Sequence, residues 1–161
     1  MQLEEKIIRE LQRRNYTVTT AESCTGGMIA SAITDVPGAS AVFEAGFVTY
    51  SNAMKTKLLA VPEETLARVG AVSAETVEAM AKGAANVAEA NVAVAVSGIA
   101  GPGGGTPEKP VGLVYICLHI RNVPDADGTY VYKCNFSGSR DEVRRAVVEK
   151  VFEEMALKLG L

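Results

Sequence analysis

Val92-Ala93-Val94-Ala95-Val96 is apolar at every position, odd and even alike. A strand with one face in water alternates apolar and polar residues, so a strand without alternation needs cover on both faces. That requirement asks for helices packed onto a sheet.

The rest of the chain supplies them. Leu3, Ile7, Ile8 and Leu11 share one face of residues 2–14, which predicts an amphipathic helix. Thr17 to Ala21 is short and β-branched, a strand, and the segment Thr25 to Ile33 is expected to be the helix that follows it. Pro37-Gly38 marks a turn, Val42 to Tyr50 a second strand, and Asn52 to Leu59 a short helix closed by Val61-Pro62. Ser73 is a suitable N-cap for a helix carrying Val77, Met80, Ala81, Ala84, Val87 and Ala88. Beyond the central strand come two more, Leu113 to Ile120 and Thr129 to Phe136, joined by a turn around Pro124 and Gly128. Ser139-Arg140-Asp141-Glu142 matches a capping box, and its helix runs to about Leu159 with Gly160 as the stop. The expected fold is α/β: a single layered domain over residues 1–161, a mixed β-sheet with helices packed on it.

Composition narrows the function classes. With 161 residues, 48% hydrophobic and 22% charged, the chain is an ordinary globular domain. A net charge of −3 argues against a phosphate-neutralising nucleic-acid surface. The adjacent pairs Arg13-Arg14 and Arg144-Arg145 read as solvated helix faces. No apolar run reaches the ~18 residues of a membrane span, and the N-terminus lacks the basic-then-apolar order of a signal peptide. Three widely spaced cysteines and a single histidine fit neither a disulfide framework nor a zinc site. A cytoplasmic protein without metal or organic cofactor is expected.

Three segments carry residues suited to chemistry. Glu22-Ser23-Cys24-Thr25-Gly26-Gly27 joins a strand to a helix, where free N–H groups and the helix dipole gather. Ser23 there is either a plain N-cap or a nucleophile whose oxyanion those N–H groups hold. The usual activator is histidine, but His119 sits on the Tyr115-Cys117-His119 side of a strand, a structural setting. A base for Ser23 would then be a desolvated lysine. Tyr50-Ser51-Asn52-Ala53-Met54-Lys55 offers one at a strand end, although a lone Lys55 also reads as a surface residue. The third segment, Ser97 to Gly112, is rich in glycine and proline. It is neither a Walker A loop nor a dinucleotide fingerprint. Its N–H groups, with Lys109 as a point charge, are suited to an anion, and loops this long in small domains are commonly functional.

Five stretches together resemble the CinA C-terminal domain family, whose stand-alone members of the PncC type are nicotinamide mononucleotide deamidases. They are Thr19 to Gly27, Gly46 to Asn52, Gly70-Ala71-Val72-Ser73, Ser97 to Pro102 and Lys109-Pro110-Val111-Gly112. Order and spacing agree over nearly the whole chain, most densely between residues 17 and 112. Longer members carry a further N-terminal domain, for which this chain has no room.

The resemblance implies hydrolysis of the carboxamide of nicotinamide mononucleotide to nicotinic acid mononucleotide and ammonia. It places the family's serine on Ser23, its tyrosine on Tyr50 and its lysine on Lys55. Substrate contacts are then expected from Thr25, Gly26 and Gly27 at the oxyanion, from Asn52, and from Ser97, Gly98, Ala100 and Gly101 in the loop. Lys109, or Arg140 at the start of the last helix, would meet the phosphate. The expected partner is this small molecule, with neither nucleic acid nor membrane, in a homo-oligomer as is common for small metabolic enzymes. Two other readings stay open: a cysteine-nucleophile amidohydrolase using Cys24, and a non-catalytic nucleotide-binding or interaction module.

Overall fold

The unalternating segment becomes β3 (Val92–Gly98), the middle strand of a five-stranded sheet. The computed structural model describes all 161 residues. The strands are β1 (Val18–Glu22), β2 (Phe43–Val48), β3, β4 (Leu113–Ile120) and β5 (Gly128–Asn135), in spatial order β2-β1-β3-β4-β5. β1 runs parallel to both β2 and β3, while β4 and β5 close the sheet as antiparallel neighbours. Six helices pack on it: α1 (Leu3–Arg14), α2 (Met28–Thr34), α3 (Asn52–Leu59), α4 (Glu63–Val69), α5 (Ala74–Ala88) and α6 (Arg140–Leu159). No helix is long and apolar enough to cross a membrane.

Both faces of β3 are covered, by different residues. Val92, Val94 and Val96 enter the larger core with α1, α2 and α6, whereas Ala93 and Ala95 face Val77, Met80, Ala81 and Ala84 of α5. Alanine on that side lets the helix approach closely. The same closeness holds at Gly83, where a Cβ would collide with the Leu59 carbonyl at the end of α3.

Three local expectations need correction. The second helix begins at Met28, not Thr25, because Gly26 and Gly27 adopt φ of +57° and +105° and turn the chain first. α4 was not expected at all: its seven residues bury only Leu66, too few for an apolar period to show. A single 3₁₀ turn, Ala39–Ala41, follows Gly38. By contrast the Ser139/Glu142 capping box at the head of α6 is present in full.

The topology fixes where a site can form. The crossover from β1 to β2 carries α2 on one face, and the crossover from β2 to β3 carries α5 on the other. Connections leaving to opposite faces open a crevice beyond the carboxyl ends of β1 and β3.

Candidate active site

Ser23 is the first residue beyond β1, and its N–H donates to the Val96 carbonyl at 3.2 Å, which anchors it to the end of β3. Its neighbour across the crevice comes from β2. Thr49 donates its N–H to the Glu22 carbonyl at 2.9 Å, and Ser51 then caps α3 by accepting from the Met54 N–H. The helix so started directs the Lys55 side chain back under the strand ends, where it is fully buried.

Lys55 Nζ lies 3.1 Å from Ser23 Oγ, 2.7 Å from the Thr49 carbonyl oxygen and 3.4 Å from that of Tyr50. No carboxylate pairs with it. Burial therefore pushes its pKa below the ordinary lysine value. A neutral amine has two N–H donors and one lone pair. In that form the two donors would serve the Thr49 and Tyr50 carbonyls, and the lone pair would face Ser23 Oγ.

A cavity of about 290 Å³ opens above this pair. Ser23, Cys24 and Lys55 form its floor, Ser97, Gly98, Ala100 and Gly101 one wall, and Tyr50 with Arg140 its rim. Arg140 bridges that rim: its guanidinium donates to the Gly101 carbonyl at 2.8 Å and to the exposed Tyr50 hydroxyl at 3.1 Å. The Tyr50 phenol thus meets an arginine, and the contact to Ser23 is made by Lys55. The lining holds two basic residues and no acidic one. No group of three or more His, Cys, Asp or Glu side chains is placed to hold a metal ion.

Several residues expected at the site lie elsewhere. Thr25, Gly26 and Gly27 do not line the cavity. The first helical N–H groups are already taken: the buried Glu22 carboxylate accepts from the Ile29 and Ala30 N–H and from the Thr25 hydroxyl. The Gly26 N–H goes to the Ser23 carbonyl at 3.1 Å. What remains without a protein acceptor in this turn are the N–H groups of Cys24, Thr25 and Gly27. Asn52 is exposed on the outer side of α3 near Glu63 and Leu66 of α4. Lys109 donates to the Val69 carbonyl at the C-terminus of α4, so it fastens the glycine loop to the neighbouring segment and is not aimed into the cavity. His119 shares a hydrogen bond with Thr129 across β4 and β5, away from the cavity.

Other residues stand there unexpected. Ala71 and Val72 also line the cavity, and Ile99, Gly103 and Gly104 extend the loop side. Arg144, read from sequence as solvated, donates to the Cys24 carbonyl at 3.0 Å and to the Thr25 carbonyl at 3.2 Å. Its spacing of four from Arg140 puts both arginines on one face of α6, a signal visible in the sequence once α6 is known to begin at the site.

Known proteins share both this sequence and this shape. The family model of the CinA C-terminal domain matches residues 1–159. A Pseudomonas putida protein named nicotinamide-nucleotide amidohydrolase PncC is 54% identical over 152 residues, covering 93% of this chain and 90% of its own. The protein of that name from Escherichia coli K12 is 53% identical over 145 residues, covering 90% and 86%. The crystal structure of competence/damage inducible protein CihA from Agrobacterium tumefaciens superposes with a TM-score of 0.92 at 45% identity, over 99% of this chain and 94% of that one. With a match spanning almost every residue, and the serine, lysine and glycine loop meeting in one crevice, the chain belongs to the CinA C-terminal domain family.

Proposed function

We propose that the chain hydrolyses the carboxamide of nicotinamide mononucleotide, giving nicotinic acid mononucleotide and ammonia through an ester on Ser23. The observation that carries this reading is the Lys55–Ser23 pair, buried and 3.1 Å apart at the mouth of the glycine loop. Its relatives' names, nicotinamide-nucleotide amidohydrolase, support the choice of substrate.

Lys55, neutral because it is desolvated, takes the Ser23 proton directly as Oγ attacks the carboxamide carbon. The oxyanion so formed is held by N–H groups of the turn after Ser23, of which those of Cys24 and Thr25 lack protein acceptors. The ammonium of Lys55 then gives its proton to the departing nitrogen, and ammonia leaves. Water attacks the ester with Lys55 again as base, which regenerates Ser23 and releases the carboxylate. The cationic pyridinium of the substrate already withdraws electrons from its carboxamide, so the chemistry asks for modest further activation. Arg140 and the loop N–H groups of Ala100 and Gly101 provide the positive surface for the phosphate, with Tyr50 at the rim.

Ammonia release from nicotinamide mononucleotide by the purified protein is the direct test. Turnover is expected with the mononucleotide, and much lower kcat/KM with nicotinamide riboside and free nicotinamide. No ammonia from any of the three would favour the non-catalytic module. Equal kcat/KM for riboside and mononucleotide would remove the phosphate from the reading.

A further inference from the structure

Arg144 does not touch the cavity, yet two chains of hydrogen bonds start at its guanidinium and end at the nucleophile's own turn. In the first, Nε donates to the Cys24 carbonyl at 3.0 Å. The N–H of that same peptide group belongs to Thr25, and in a trans peptide it points opposite to the carbonyl. In the second, Nη2 donates to the Thr25 carbonyl at 3.2 Å. The N–H of that peptide, from Gly26, donates to the Ser23 carbonyl at 3.1 Å, and the Ser23–Cys24 peptide ends the series with the Cys24 N–H. The two terminal donors, Thr25 N–H and Cys24 N–H, meet no protein acceptor, as is also true of Gly27 N–H farther along the turn.

Hydrogen bonds in series polarise one another, by about 10–30% per bond, and a charged donor at the head strengthens the effect. Arg144 is suited to that place. It takes part in none of the ion pairs, whereas its neighbour Arg145 is bound to Asp141 at 2.7 Å. Its charge is therefore spent on carbonyls and on the field at the turn, where it favours the anionic form of Cys24. The fork also packs on the turn itself: a Cβ at Gly26 would lie 3.3 Å from Nη2. From the other side Glu22 holds the Thr25 hydroxyl and the start of α2.

We propose that Arg144 is a positioning residue for the Ser23 reaction, one that orients and polarises the Cys24 and Thr25 N–H groups as the oxyanion hole. The inference rests on Ser23 being the nucleophile. It differs from a purely structural role because polarised donors matter most when charge has developed on the substrate oxygen.

The test uses Arg144→Lys and Arg144→Met in the intact chain, with kcat and KM for nicotinamide mononucleotide. Two binding probes accompany them: nicotinic acid mononucleotide, and the mononucleotide of pyridine-3-carbaldehyde, whose aldehyde adds Ser23 to form a tetrahedral adduct. Removing an oxyanion donor outright costs about 10²–10³ in kcat, so weakening two is expected to cost roughly 10- to 100-fold. KM and product affinity should stay within about threefold, and the aldehyde should lose affinity in parallel with kcat. Arg144→Lys keeps charge and bulk but not the fork, so it is the informative variant if Arg144→Met folds poorly. Full kcat in folded Arg144→Lys, or equal losses for product and aldehyde, would overturn the proposal. Activity surviving in Ser23→Ala would instead remove the nucleophile reading on which it stands.

Discussion

Lys55 Nζ stands 3.1 Å from Ser23 Oγ and only 2.7 Å from the carbonyl of Thr49, so the lysine is held by backbone, not by a carboxylate. An acidic partner would have kept Lys55 cationic. Burial without a counter-charge lowers its pKa, and that shift suits the pair to base catalysis.

Lys55→Arg should therefore be almost as damaging as Lys55→Ala. Arginine retains the charge but does not deprotonate at usable pH. Both substitutions are expected to lower kcat by roughly 10²–10⁴, the usual worth of a positioned proton-transfer group. Steady-state ammonia release checks this. An arginine variant keeping most of its kcat would mean that the residue serves as a cation and the base lies elsewhere.

The pH dependence follows from the same burial. kcat should rise as Lys55 loses its proton, with an apparent pKa below the ordinary lysine value of 10.5. Stability should change in the same direction. Between the lowered folded pKa and the unfolded one, the unfolded chain holds a proton that the folded chain lacks. Unfolding therefore takes up a proton, and stability rises with pH through that window and is flat on either side. Thermal melts of wild type and Lys55→Met, taken from neutral pH upward, should diverge in favour of the wild type. A pH-independent difference would mean that the lysine is not desolvated in solution.

Lys109 separates two roles for the glycine loop. The sequence suggests a point charge for the phosphate, but the ammonium is occupied by the Val69 carbonyl at the end of α4. That bond ties the loop wall to the segment bearing Ala71 and Val72. As a tether, Lys109→Ala should raise KM for mononucleotide and riboside by the same factor, about 3- to 10-fold for the loss of one charge-assisted hydrogen bond. As a phosphate ligand it would raise KM for the mononucleotide alone. Parallel kinetics on the two substrates decide between them.

How far the sequence could be read depended on whether the signal was local. The Val/Ala strand, the capping box of α6 and the α3 helix after Ser51 are local patterns, and each stands where it was expected. Lys55 was reachable by elimination, since one histidine in a strand leaves few bases for Ser23. Nothing in the sequence reveals that the Glu22 carboxylate takes up the Ile29 and Ala30 N–H groups of α2, or that the Gly26 N–H turns back to the Ser23 carbonyl. Arg144 was invisible for a related reason: its partners lie 119 and 120 residues away, and helical spacing alone presents it as a solvated face. Lys109 illustrates the remaining limit. Composition marks a cation in a loop, but only packing says which oxygen it meets.

The last prediction separates Ser23 from its neighbour. Cys24 also lines the cavity, and a thiol beside a helix start is a natural rival. Burial, however, pushes the Cys24 thiol up to about 11, so its thiolate fraction near neutrality is roughly 10⁻⁴. In the proposed mechanism Ser23 has no such handicap, because Lys55 draws off its proton as attack proceeds. Ser23→Ala should then abolish turnover by many powers of ten while the melting temperature and product affinity stay close to wild type. Cys24→Ala should keep substantial activity, with any loss traceable to the turn it helps to form. Trapping with the substrate followed by mass spectrometry adds a direct reading, since the transient acyl group should sit on the peptide bearing Ser23 and persist in the Cys24→Ala protein. Ammonia release at near wild-type rate from Ser23→Ala would end the acyl-enzyme mechanism. An inactive Cys24→Ala that still folds and binds product would move the nucleophile one residue along the chain.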